Sequence, residues 1–199
     1  MEWKSPDMSY YEGILVTDGD SPNAAAIGAE IEDERFGSRI YLPSDTGRKL
    51  EEEINFTFSL TDEPVLFFKA ALTGHDESDE SELSTDGLVE EDGYLYPVEA
   101  TKIYFCNVVR TKVVSEEDRY GEANIKLIEA EIVEEKGNNG YIGRENPLVD
   151  AMVYASRMLV ADEGQKVELK KKIEDILDES ESELKRKIFD FVEAKIDEV

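Results

Sequence analysis

The sequence predicts a mainly β fold of the α+β kind, a barrel or sandwich followed by a helical C-terminal part. Three observations predict it. Runs of alternating apolar and polar residues recur through residues 11–136, clusters of turn-forming residues separate them, and beyond residue 140 the apolar period becomes that of an amphipathic helix. The expected organisation is a β domain over residues 1–140 and a helical subdomain over residues 141–199.

Each element follows from its residues. YEGILVT (11–17) is rich in β-formers and runs into DGDSPN, dense in turn residues, so a strand and a hairpin turn are expected. In NAAAIGAEIED, residues Ala25, Ile27, Ala29 and Ile31 alternate with Ala26, Gly28, Glu30 and Glu32, which places the two sets on opposite faces of a strand. Gly28 there marks either a bulge or bend, or the close approach of a ligand. RFGSRIYL is a short strand, TGRKLEEE a short helical segment, and INFTFSLT a strand with Ile54, Phe56, Phe58 and Leu60 on one face. DEPVLFFKAAL fits a helix opened by Asp62 and Pro64 or a buried strand through Val65, Phe67 and Phe68.

Residues 74–93 carry many acids and few large apolar side chains, which predicts an exposed loop. Residues 101–114 and 124–136 both alternate and are joined by a glycine-containing connector, the pattern of a long hairpin. The strand total is six or seven, mostly antiparallel. Asn146 then stands as an N-cap with Pro147 at the first helical position, and Leu148, Met152, Ala155 and Leu159 form a stripe. A second helical pattern runs through Ile173, Ile176, Leu177, Leu184, Ile188, Phe191 and Val192, with the acidic and serine-rich residues 178–183 as a turn between two shorter helices. Lys170, Lys171 and Lys172 are flanked by acids and read as a salt-laced solvated face.

Composition narrows the function. The chain has 199 residues, 40% of them hydrophobic, enough for a real core, yet 48 acidic residues against 22 basic ones give a formal charge of -26. Charge of this size repels itself unless screened, so a salt-adapted, halophilic cytoplasm is the expected setting. An acidic surface disfavours nucleic acid and anionic membranes as partners. No stretch is apolar enough to span a bilayer and the opening MEWKSPDMSYYEG has no apolar export signal, so a cytoplasmic location is expected. The one cysteine, Cys106, reads as a buried small hydrophobe, and the one histidine, His75, sits in the acidic loop without partners for a metal site. No metal is expected. Neither a nucleophile and base pair nor a glycine-rich phosphate loop of the familiar kinds is present.

Residues 39–50, RIYLPSDTGRKL, stand apart. In so acidic a chain they place Arg39, Arg48 and Lys49 beside the hydroxyls of Ser44 and Thr46, at the handover from a strand to a helix. Hydroxyls, backbone N–H groups at a helix start and basic side chains are what a phosphate takes; the same SDTG residues are also ordinary capping and turn chemistry.

The motifs PNAA-x-IG, the Ser-x-Thr loop and N-x-T-x-x-x-x-D, in that order, together with NPLVDAMVYASR further on, resemble an archaeal family of proteins of unknown function, DUF447, and cover about two thirds of the chain. The resemblance implies an FMN-binding split β-barrel, a homodimer with flavin at the subunit interface. It implies that Ser44 and Thr46 hold the FMN phosphate, that Asn23, Ala26, Ile27 and Gly28 line the flavin, and that Asn55 and Thr57 lie on the adjacent strand; Arg48 and Lys49 join the phosphate site on the chemistry of the loop itself. Two positions depart from the family pattern: Pro43 stands where a glycine is usual and Lys49 where an asparagine is usual. The implied function is a flavin-dependent oxidoreductase acting on an unidentified small molecule. The alternative is a non-catalytic dimeric scaffold or small-ligand binding module that has lost flavin.

Overall fold

The computed structural model describes residues 9–17, 22–42, 44–50, 54–72, 87–118, 121–138, 140–159, 161–177 and 182–197. Alternation of apolar residues along six strands builds its first part: β1 (Ser9–Thr17), β2 (Asn23–Glu32), β3 (Arg35–Tyr41), β4 (Asn55–Leu60) and, after two short strands, β7 (Lys102–Asp118) and β8 (Gly121–Gly137). They close into an antiparallel barrel in the order β1-β2-β3-β8-β7-β4, with β4 returning to pair with β1. Closure removes the open edges of a flat sheet and gives each strand one face to the interior. Leu15, Phe36, Ile40, Phe56, Phe58 and Ile128 fill it, with Phe36 edge-on to Phe56 at 5.1 Å and to Phe58 at 5.3 Å between ring centroids. The inward set on β2 includes Ala29 and Ile31, and on β4 Phe56, Phe58 and Leu60, the faces their alternation predicts. Cys106 is fully buried, and burial pushes its thiol up, away from the reactive thiolate form.

The β7–β8 hairpin is longer than its sequence pattern indicates and carries two bulges. The register shifts between Phe105 and Cys106, and again between Val108 and Arg110. The unmatched residues are Val133 and Val109, and both valines are exposed. The second bulge turns Arg110 outward where strict alternation would have sent it into the barrel.

The acidic stretch expected as a loop over residues 74–93 is corrected in its last part. Leu88–Glu91 form β5 and Tyr94–Pro97 form β6, an antiparallel hairpin, while residues 74–86, His75 included, lie outside the described residues. The turn between them is Asp92–Gly93, with φ of 50° and 82°, the left-handed geometry that Asp-Gly favours in two-residue hairpins. The hairpin is fastened to the barrel: Thr57 Oγ1 donates to the Leu95 carbonyl at 2.6 Å, and the rings of Tyr94 and Tyr96 meet Phe105 edge-on at 5.2 and 5.8 Å.

A second compact unit is helical: α2 (Pro64–Leu72), α3 (Pro147–Arg157), α4 (Glu163–Leu177) and α5 (Glu183–Asp197). Residues 64–72 therefore resolve the helix-or-strand ambiguity as a helix, burying Leu66, Phe67, Ala70 and Leu72. Asn146 caps α3 as its sequence predicts, accepting from Leu148 N at 2.9 Å, with Pro147 next. The buried face of α3 differs from the single expected stripe: Met152 and Ala155 are buried, Leu148 and Leu159 only half so, and Val149, Ala151 and Tyr154 complete it. The reason is that α3 packs against α2, α4 and α5 together, so more than one stripe is covered. Lys170 pairs with Glu193 and Lys172 lies over the Tyr154 ring at 4.1 Å. No helix among the described residues is long and apolar enough to cross a membrane, and no cluster of metal-ligating side chains occurs among them.

Candidate functional site

The short helix α1 (Asp45–Lys49) follows β3 and is organised by Ser44. Ser44 is extended at φ -68° and ψ 157°; its Oγ accepts from Gly47 N at 3.0 Å and donates to the Tyr41 carbonyl at 2.6 Å. The N–H groups that open such a helix have no carbonyl within it to bond to. Gly47 then fixes how closely the helix approaches β3. A Cβ at that position would lie 2.5 Å from the Tyr41 carbonyl oxygen and 2.9 Å from that of Leu42. Sequence reading missed this residue, because the atoms that exclude a side chain are backbone atoms whose position only the fold defines.

Thr46 is buried, and its Oγ1 accepts from Asn23 Nδ2 at 2.8 Å. Asn23, the first residue of β2, is itself buried. This bond ties the two motifs of the chain to each other. Of the basic residues nearby, Arg48 forms an ion pair with Asp45 on the same helix, and Arg39 pairs with Glu116 of β7. Lys49 is half-buried in the last turn. Asn23, Ser44, Thr46, Arg48 and Lys49 thus share one end of the barrel.

The other candidate residues lie further along the sheet. Ala26, Ile27 and Gly28 continue up β2, all half-buried, with Ile27 packed on the core. The space left by the absent Gly28 side chain is filled by Tyr10, whose hydroxyl would be 1.8 Å from a Cβ and which donates to Glu12 Oε1 at 3.1 Å. Tyr10 is 57% exposed, and the atom that would have to move is the far end of its ring. Gly28→Ala is accordingly expected to lower stability by less than about 1 kcal/mol, the scale of a surface adjustment; a thermal melt showing a larger loss would mean Tyr10 is fixed in place. On β4, Asn55 is exposed and pairs in register with Asn107, whereas Thr57 is fully buried with its hydroxyl committed to Leu95. β1 separates β4 from β2, and Ala24, Val16 and Thr57 form one row across the three strands.

The donors at the α1 end suit a phosphate. One Thr46 lone pair accepts from Asn23, which leaves the hydroxyl proton to donate, and Ser44 can exchange the Tyr41 carbonyl for a stronger, charged acceptor. Pro43, which departs from the family pattern, lies outside the described residues.

A closed six-stranded antiparallel barrel with appended helices and this loop at its end places the chain in the split-barrel class, the fold seen in flavin-reductase-like proteins. Within that class the chain belongs to the DUF447 family: residues 11–138 match the domain described as protein of unknown function (DUF447) N-terminal domain. Among solved structures it is similar to the FMN-bound DUF447 protein MM1853 from Methanosarcina mazei, with 20% identity, 94% of each chain covered and a TM-score of 0.66. A flavin reductase domain protein from Arthrobacter sp. FB24 is 13% identical over 66% of this chain and 80% of its own, with a TM-score of 0.51. Nitrilotriacetate monooxygenase component B from Bacillus cereus is 15% identical over 71% and 78%, with the same TM-score of 0.51. At these identities the likeness is one of fold. No curated protein matches the chain.

Proposed function

We propose that the protein binds FMN at the β2 and α1 end of the barrel and works as a flavin-dependent oxidoreductase on a small molecule. The observation that carries this reading is the Asn23–Thr46 hydrogen bond at 2.8 Å, which joins the strand expected to line the flavin to the loop expected to hold its phosphate. Membership of a family with an FMN-bound member supports it. In this reading Thr46 and Ser44 donate to the phosphate, Lys49 adds positive charge, and Arg48 does so by exchanging Asp45 for the ligand. Asn23 keeps Thr46 in the rotamer that presents its proton, and the ring lies along the β2 backbone at Ala26, Ile27 and Gly28, whose side chains alternate between the two faces of the strand. FMN supplies the redox chemistry, and the protein supplies binding and orientation. A second copy of the chain completes the groove, an expectation that sedimentation of the purified protein tests directly.

The test is flavin binding measured by fluorescence quenching in about 1 M salt, where the Debye length falls to about 3 Å and self-repulsion is screened. The wild type is expected to bind FMN. The double variant Ser44→Ala, Thr46→Ala is expected to lose about 1–3 kcal/mol of that affinity, the worth of charge-assisted hydrogen bonds. Equal affinities would remove the phosphate from this loop. A wild-type protein that neither carries nor takes up FMN would leave the scaffold or binding-module alternative.

A further inference from the structure

One cation lies deep beneath the α1 loop. Lys126 of β8 is 4% exposed, and its Nζ donates to the Leu50 carbonyl at 2.9 Å. Leu50, fully buried, is the C-cap of α1, and its own N–H donates to the Thr46 carbonyl at 3.1 Å. A continuous chain of bonds therefore runs from the ammonium through Leu50 and Thr46 to Asn23. Register places Lys126 opposite Ile40 of β3, so the amine reaches across the end of the barrel from a strand remote in sequence. Burying an ammonium is unfavourable unless it is hydrogen-bonded, and a plain apolar residue would fill the same place without that penalty. Charge beneath the loop is shielded less by salt than charge at the surface.

We propose that Lys126 is the positioning residue of the anion site, holding α1 through the Leu50 carbonyl so that Thr46 and Ser44 meet a phosphate, and adding buried positive charge behind them. The inference rests on the reading of the α1 loop as the phosphate site. It predicts an effect on the phosphate alone, which a merely structural lysine would not have.

The experiment compares FMN with riboflavin, the same ring without the phosphate, using wild type, Lys126→Met, Lys126→Arg and the Ser44→Ala, Thr46→Ala double variant of the full chain in molar salt. Lys126→Met is expected to weaken FMN binding about tenfold while riboflavin binding stays within about twofold, and Lys126→Arg to restore most of the loss, given the worth of a charge-assisted contact. Equal weakening of both ligands would overturn the proposal and make Lys126 a fold determinant, and weakening of neither would overturn it outright. Should Lys126→Met fail to fold, Lys126→Gln, neutral and one bond shorter, removes the charge and draws the donor back from Leu50, and the same FMN-to-riboflavin ratio decides. If the double variant lowers that ratio and the Lys126 variants do not, only this inference fails. A wild type that binds both ligands equally, or binds neither, removes the phosphate reading and the inference with it.

Discussion

Phe58→Ala is expected to destabilise the protein by about 3–5 kcal/mol, the cost of deleting a fully buried aromatic ring. Phe58 has no exposed surface and sits between Phe36, edge-on at 5.3 Å, and Tyr104, stacked at 6.4 Å. Its other flank is Gly13 of β1, where a Cβ would lie 2.4 Å from the ring. The wall on that side is backbone, held in register with β2 and β4, so it cannot move in to fill the space. Tyr104 cannot turn its hydroxyl into the cavity without losing solvation; burial already pushes its phenol up to about 12. Denaturant unfolding in molar salt should show a lower midpoint with an unchanged slope. A loss below about 1.5 kcal/mol, the range of volume-conserving swaps, would mean that the barrel interior collapses around the gap.

Gly47→Ala is expected to cost about 3 kcal/mol, at the upper end for overpacking, and to abolish FMN binding with it. The residue is not in a left-handed conformation, so the effect is purely steric: the new methyl group meets the Tyr41 and Leu42 carbonyl oxygens at 2.5 and 2.9 Å. Neither is the end of a flexible side chain. Relief requires α1 to lift from β3, which breaks the Ser44 cap and draws Thr46 away from Asn23. Gly28→Ala, which meets only the far end of the exposed Tyr10 ring, is the stability control for glycine replacement as such. A Gly47→Ala protein that melts within about 1 kcal/mol of wild type and still binds FMN would show that α1 is loosely seated.

Most of the barrel was legible because alternation is a local signal. Ala29 and Ile31, or Phe56, Phe58 and Leu60, declare their common face within a few residues of chain. The β5–β6 hairpin was missed although Asp92–Gly93 carries its turn signal, because the many carboxylates around it resemble a solvated loop and Tyr94 and Tyr96 show their role only against Phe105. The bulges at Val109 and Val133 were invisible for a related reason: an exposed valine in an alternating run looks like a buried one. At the candidate site, residue types singled out Ser44 and Thr46. Their chemistry depends on partners that the fold brings in, Asn23 lying 23 residues from Thr46, and Lys126 76 residues from Leu50.

The order of strands in the barrel also decides which edges stay open until the last strands are made. β1 to β4 pair among themselves, β1 with both β2 and β4 and β2 with β3, so they form a sheet whose two free edges are β3 and β4. Only β8 covers the first and β7 the second, and those two strands form one hairpin much later in the chain. The hairpin can assemble in roughly 1–10 μs, but its docking joins distant segments, and β-rich folds with such pairings mature in milliseconds to seconds. A chain leaving the ribosome therefore carries two uncovered strand edges until residue 131 of β8 and residue 107 of β7 have emerged. Open edges invite pairing with other chains. The surplus of carboxylates opposes such pairing by like-charge repulsion.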